Sequence, residues 1–229
     1  MPHKARDLLV GQRTALANSI RGQLAEFGIV DAAGEAGLQA LLAIVADETR
    51  GELTADQRAA LMSLVAVLAE IEASIERLTA MMHAHAKQSE TVRRLKTIPG
   101  VGPIAASAFA AIVTNAAAFA SGRAFAASLG LTPRLNGTGG EVTLGPITKA
   151  GNAYLRRLLY LGAVAVLGRA RRLPEQADPR VLELLARKAS FKVAAIALAN
   201  RTARVVWVLM TRGGIYIEHH RPAPFAAAA

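Results

Sequence analysis

Leu61, Leu64, Leu68, Ile71, Ile75, Leu78 and Met82 follow one another at alternating steps of three and four residues. That rhythm is the a/d seam of a coiled coil sustained over about three heptads, with Glu70, Glu72, Glu76 and Arg77 off the seam. A second apolar stripe, Leu9, Leu16, Ile20, Leu24 and Phe27, ends at Gly28, and a short helix is expected over Leu38 to Val45. Residues 1–90 therefore read as a helical coiled-coil region. An antiparallel pair within one chain and a pair between chains both satisfy the pattern, and a seam this regular predicts self-association.

The pattern changes after residue 90. Leu95, Ile98, Val101, Ala106 and Phe109 place apolar positions on both sides of Pro99-Gly100-Val101-Gly102, the pattern of a helix-hairpin-helix over 95–112. Glycines there let bare backbone approach a phosphate, and the N-terminal amides and dipole of the following helix favour an anion. Gly100, Val101 and Gly102 are accordingly the candidate phosphate contacts. Pro103 suits the first helical turn, where its missing N–H is not needed. Ser121 reads as the N-cap of a helix over Arg123 to Leu129, and Gly130 as its stop.

Residues 131–152, LTPRLNGTGGEVTLGPITKAGN, read as an irregular glycine-rich loop. Loops of this length inside compact domains tend to be functional. Gly137, Gly139 and Gly140 surround Thr138 and leave its hydroxyl uncrowded, while Arg134 and Lys149 bracket the loop with positive charge. Tyr154 to Gly168 reads as a buried helix with Arg156 and Arg157 near its start and Arg169, Arg171 and Arg172 closing it. A last helix over about Lys188 to Met210 carries Arg201 and Arg204 at turn spacing, with Trp207 as a core anchor. Residues 213–229, with Pro222, Pro224 and the terminal alanines, read as a disordered tail. The expected class is all-α: a helical coiled coil (1–90), then a domain over 91–212 with a helix-hairpin-helix and the glycine-rich loop.

Composition sharpens this picture in two ways. Scarce aromatics and abundant alanine and leucine favour small-residue helix packing over a sheet. The absence of cysteine excludes a disulfide scaffold and any thiolate metal site. The charged N-terminus MPHKARDLLVGQR has no apolar core segment, so no signal peptide is expected. The longest apolar stretch, Ile104 to Ala120, is broken by Thr114 and Asn115 and falls short of a membrane span of about 20 apolar residues. The expected setting is cytoplasmic and nucleoid-associated, with no membrane partner.

The net charge of +10 matters most once it is located. Residues 1–133 hold 12 basic and 12 acidic side chains, whereas residues 134–212 hold 14 basic and 4 acidic ones. A field concentrated in this way favours a polyanionic partner. No metal site is expected. Glu72 and Glu76 sit one turn apart as solvated charges, His83 and His85 diverge on a helix, and His219 and His220 lie in the polar tail.

With these residues in view, the chain resembles the transposases of the insertion sequence 110 family (IS116/IS110/IS902 type). The likeness runs from HKARDLLVGQRTALANSIRGQLAEFGIV to RTARVVWVLMTRG and is most specific in IPGVGPIAA, FASGRAFAASLGLTPR and ITKAGNAYLRRLLY. It implies DNA transposition by strand cleavage and rejoining, shared between two parts. One is an N-terminal RuvC-like domain whose acidic residues bind a divalent metal such as magnesium. The other is a C-terminal transposase domain with a serine nucleophile, reached through an oligomerising coiled coil.

The resemblance also implies a guide RNA. Thr138 stands where the family has its serine, Arg134 and Lys149 would offset charge on phosphorus, and Arg156 and Arg157 would hold the DNA backbone. The acidic metal-binding domain is expected to be missing from this chain or separately encoded: Asp7, Asp31 and Asp47 lack its spacing. The alternative is a non-catalytic nucleic-acid-binding oligomeric module, a transposase remnant. A further reading is a coiled-coil interaction protein whose basic face only keeps it soluble.

Overall fold

In the computed structural model the described residues are 2–138, 141–188 and 190–217, excepting the side chains of Asn136, Thr138, Glu141, Val142 and Leu144. The expectations for Gly139, Gly140, His219, His220, Pro222 and Pro224 lie outside the described residues. The chain divides into two compact units, Met1–Met82 and His83–Ala229.

The N-terminal unit is built from α1 (Pro2–Glu26), α2 (Glu35–Ala46) and α3 (Ala55–Gln88), the last of which continues past the division. Thr54 and Gln57 start α3 with reciprocal bonds: Thr54 N–H donates to Gln57 Oε1 at 2.8 Å, and Gln57 N–H donates to Thr54 Oγ1 at 3.3 Å. The two apolar stripes pair within the chain and antiparallel. Arg6 Nε donates to Thr79 Oγ1 at 2.8 Å and Arg13 Nε to Glu72 Oε1 at 2.7 Å, so one number rises as the other falls.

Ile20 and Leu24 of α1, Leu38, Leu41 and Val45 of α2, and Leu61 and Leu68 of α3 form the unit's buried core. Met82 at the end of the seam is buried too, whereas Leu64, Ile71, Ile75 and Leu78 are half-buried. Glu72 thus serves as a partner for Arg13, which also reaches Glu35 Oε2 at 2.6 Å. That bond holds the Glu35 carboxyl below its usual range.

The C-terminal unit begins with α4 (Glu90–Leu95), capped by Ser89, and α5 (Pro103–Ile112), with Pro103 in its first turn. Then come α6 (Gly122–Ser128), β1 (Pro133–Thr138), β2 (Glu141–Ile147), α7 (Ala153–Arg172), α8 (Pro179–Arg187) and α9 (Phe191–Arg212). Ser121 caps α6 as expected, its Oγ accepting from Ala124 N–H at 3.2 Å. α9 is the central element and packs on both α6 and α7. Alanines 194, 195, 199 and 203 on its buried face let neighbouring helices approach closely around Phe109, Phe125, Leu155, Leu159 and Leu167.

By length and composition α9 could cross a membrane. One face of it packs into this core, and Lys192, Arg201 and Arg204 interrupt its outer face. Trp207 anchors the core as expected, its indole N–H donating to Ala116 O at 2.9 Å.

The fold is mostly helical, with one correction to the expected organisation. The stretch expected as an irregular loop folds over most of its length as an antiparallel hairpin, with Leu135 opposite Leu144, Gly137 opposite Val142 and Thr138 opposite Glu141. The ladder is irregular between Pro133 and Leu135, where proline has no N–H to give. Helix α8 was not expected at all, and α7 runs one residue earlier and four later than its sequence pattern indicated.

Candidate nucleic-acid interface

The Pro-Gly-Val-Gly turn between α4 and α5 divides its work among its residues. Gly100 adopts φ +82°, and a Cβ there would stand 2.7 Å from the carbonyl oxygen of Gly162 on α7. In the reverse direction, a Cβ on Gly162 would stand 2.0 Å from Gly100 O. These two glycines let the turn and α7 touch backbone to backbone. Val101 is buried in the core. Gly102 alone among the three is both exposed and open, with nothing within 4 Å of its Cβ position, and it caps α5. The backbone left open at this turn is therefore that of Gly102.

The hairpin separates the other expected site residues. Arg134 is near its base, with Nη2 3.5 Å from Thr148 O, and Lys149 follows β2 at φ +57° with an exposed side chain. Thr138 lies at the far end of β1, four residues beyond Arg134, or about 13 Å along an extended strand. The geometry brings Arg134 and Lys149 together at the base and Thr138 to the tip.

Arg156 and Arg157 also diverge. Arg156 Nη1 donates to Leu129 O at 3.0 Å and to Ala150 O at 2.7 Å, fastening the end of α6 to the chain that leaves the hairpin. Arg157 is exposed, with Cζ 5.5 Å from the centroid of the Tyr154 ring. Arg156→Ala is expected to cost about 2 kcal/mol, because two carbonyls lose a charged donor. Urea unfolding of the intact chain measures this as a lower midpoint at unchanged slope.

A basic groove of about 1310 Å³ runs from the hairpin base between α8 and α9. Lys149 stands at its hairpin end. Arg180 and Arg187 enter from α8, Lys188 from the joint after it, and Lys192, Arg201 and Arg204 from α9. Glu183 is the one carboxylate lining it, and none of the seven cations is ion-paired among the described residues. Low-dielectric walls lined by one sign of charge focus the field and draw in anions.

Sequence spacing had singled out Lys149, Arg201 and Arg204, but not the cations of and around α8. The signal was present in Asp178-Pro179: an N-cap aspartate, whose Oδ1 accepts from Arg180 N–H at 2.8 Å, followed by a proline in the first turn. Among the described residues no three of His, Asp and Glu stand together as a metal site. The residues present thus do not fit a divalent metal.

Residues 92–178 match the sequence profile of the family described as "Transposase IS116/IS110/IS902 family", a span running from α4 to the end of the α7–α8 joint. The chain is 42% identical over 215 residues to a Pseudomonas aeruginosa protein described as "Probable family 20 transposase", covering 93% of this chain and 63% of that one. It is 37% identical over 216 residues to the "Transposase for insertion sequence element IS1111A" of Coxiella burnetii, covering 93% and 58%. It is 35% identical over 214 residues to the "Transposase for insertion sequence element IS1328" of Yersinia enterocolitica, covering 93% and 63%. The chain thus spans less than two thirds of the length of each of these relatives.

Proposed function

The chain belongs to the IS116/IS110/IS902 transposase family through residues 92–178, and on that premise we propose that it binds DNA and takes part in strand cleavage and rejoining. The observation that carries the reading is the groove: seven cations against one carboxylate, opening at the base of the hairpin that bears Thr138. Arg134, near the hairpin base, adds a further exposed cation close to Lys149. Phosphate contacts of this kind set affinity and register without reading bases.

In the cleavage step the Thr138 Oγ attacks a DNA phosphodiester. A Thr–O–P bond forms, the bond to one strand's sugar oxygen breaks, the threonine proton passes to solvent, and the leaving oxygen takes one up. A hydroxyl of a second strand then attacks the same phosphorus, forms the new diester and returns Thr138 to its hydroxyl form. The extra methyl of threonine restricts its rotamers and crowds the attack relative to serine. Because the described residues do not fit a metal, no step is assigned to one here. A RuvC-like domain supplied separately, a guide RNA and assembly through the coiled-coil region are further parts of this proposal. The last is supported by apolar side chains left exposed there, Leu8 at 64% and Val67 at 52%.

Trapping a covalent protein–DNA adduct on a denaturing gel, with the family's RuvC-like domain supplied in trans, tests the chemistry. Wild type is expected to form it, Thr138→Ser to form at least as much, and Thr138→Ala to form none. An adduct from Thr138→Ala would remove the nucleophile from the account. Salt-sensitive DNA binding with no adduct from either hydroxyl variant would instead favour a non-catalytic nucleic-acid-binding module.

A further inference from the structure

The groove between α8 and α9 is more than a cluster of charge, because its lining is apolar as well as basic. Pro146, Ile147, Leu184, Val193 and Ile196 line it together with Tyr160 and the seven cations. Val193 is 48% exposed, so this apolar surface is open to a partner. At about 1310 Å³ the groove also exceeds the roughly 300–1,000 Å³ typical of small-molecule pockets.

A duplex presents phosphates to a surface and keeps its bases stacked inside, so it would leave such an apolar lining uncovered. An unpaired strand can lay splayed bases on apolar and aromatic side chains while basic residues track its backbone. We propose that the α8–α9 groove holds an unpaired nucleic-acid strand, its phosphates on cations that include Arg187 and Lys192 and its bases against Val193, Ile196 and Tyr160. This rests on the nucleic-acid reading above and names the form of nucleic acid that this part of the surface takes. The groove reaches the hairpin base through Pro146, Ile147 and Lys149, so the strand it holds leads toward the element that bears Thr138.

Fluorescence anisotropy on the intact chain, with a short mixed-sequence DNA strand, its RNA counterpart, the matching DNA duplex and polyglutamate, tests this directly. Two variants separate charge from apolar lining. Arg187→Glu with Lys192→Glu removes two exposed cations and is expected to flatten the single-strand salt slope by about 1.4, at about 0.7 per phosphate contact. Val193→Asn is expected to weaken single-strand binding several-fold at unchanged slope, because it removes apolar contact and no charge. Both substitutions lie on exposed side chains, so the thermal melt should stay at the wild-type value.

Tighter binding of either strand, DNA or RNA, than of duplex supports the proposal and identifies the source of the strand. Unchanged single-strand binding in both variants, with duplex binding intact, overturns the groove assignment and leaves the proposed function standing. Equal losses for strand and duplex make the groove a duplex-binding face and overturn the unpaired-strand assignment. Polyglutamate binding as tight as the single strand overturns it in favour of an acidic protein partner. Failure of the wild type to bind any nucleic acid removes both readings.

Discussion

Gly162→Ala is expected to destabilise the C-terminal unit by about 3 kcal/mol, while Gly168→Ala on the same helix stabilises it by up to about 1 kcal/mol. Both positions lie within α7, so the gain in helix propensity is the same. Only the surroundings differ. A Cβ at position 162 would stand 2.0 Å from Gly100 O, where the obstacle is backbone that cannot rotate aside. At position 168 nothing lies within 4 Å. Thermal melts of the intact chain should separate the two variants, with Gly162→Ala lower than wild type by roughly 6–12 °C. Equal melting temperatures would mean that the turn and α7 are not in backbone contact.

This pair of glycines also recasts the Pro-Gly-Val-Gly turn. Its spacing alone suits two explanations, a tight packing turn and a phosphate-binding hairpin, and the two divide between its glycines. Gly100 is committed to Gly162 by contact and by its positive φ, whereas Gly102 faces open space at the head of α5. A substitution at Gly100 would therefore test folding, and only one at Gly102 would test binding.

What could be read from the chain was what repeats locally. The stripes through Leu16, Ile20 and Leu24 and through Leu61 and Leu68 identified α1 and α3, and the Ser121 cap and Gly130 stop bounded α6. Whether the stripes pair within or between chains was undecidable from spacing, because an a/d seam is the same in either case. It took Arg6–Thr79 and Arg13–Glu72 to resolve the internal pairing. The hairpin was hidden by glycine and proline content that suggests a loop. The usable cue in the sequence was a Gly-Gly pair, a turn-favouring dipeptide, between the β-prone Leu135 and Val142-Thr143.

The groove was beyond local reading for a different reason. Its cations are scattered from Lys149 to Arg204 and converge only when α8 folds between α7 and α9. The segment's excess charge was legible, but its shape was not. Arg156 shows the opposite error of scale: adjacent to Arg157 in sequence and counted with it as a backbone contact, it turns to two carbonyls of its own chain.

The central claim is that this charge serves phosphate binding. The fourteen basic side chains of residues 134–212, among them exposed Arg134 and Lys149, offer more than enough charge for about six simultaneous phosphate contacts. Each neutralised phosphate of duplex DNA contributes about −0.9 to the slope of log affinity against log salt, so a slope near −5 is expected. That slope corresponds to a loss on the order of 10³-fold between about 50 and 200 mM salt. The deciding measurement is duplex DNA affinity of the intact chain across that range. A steep, linear fall of this size is the predicted result. A weak affinity that hardly changes with salt would contradict the account and leave the excess charge of residues 134–212 without a role in duplex binding.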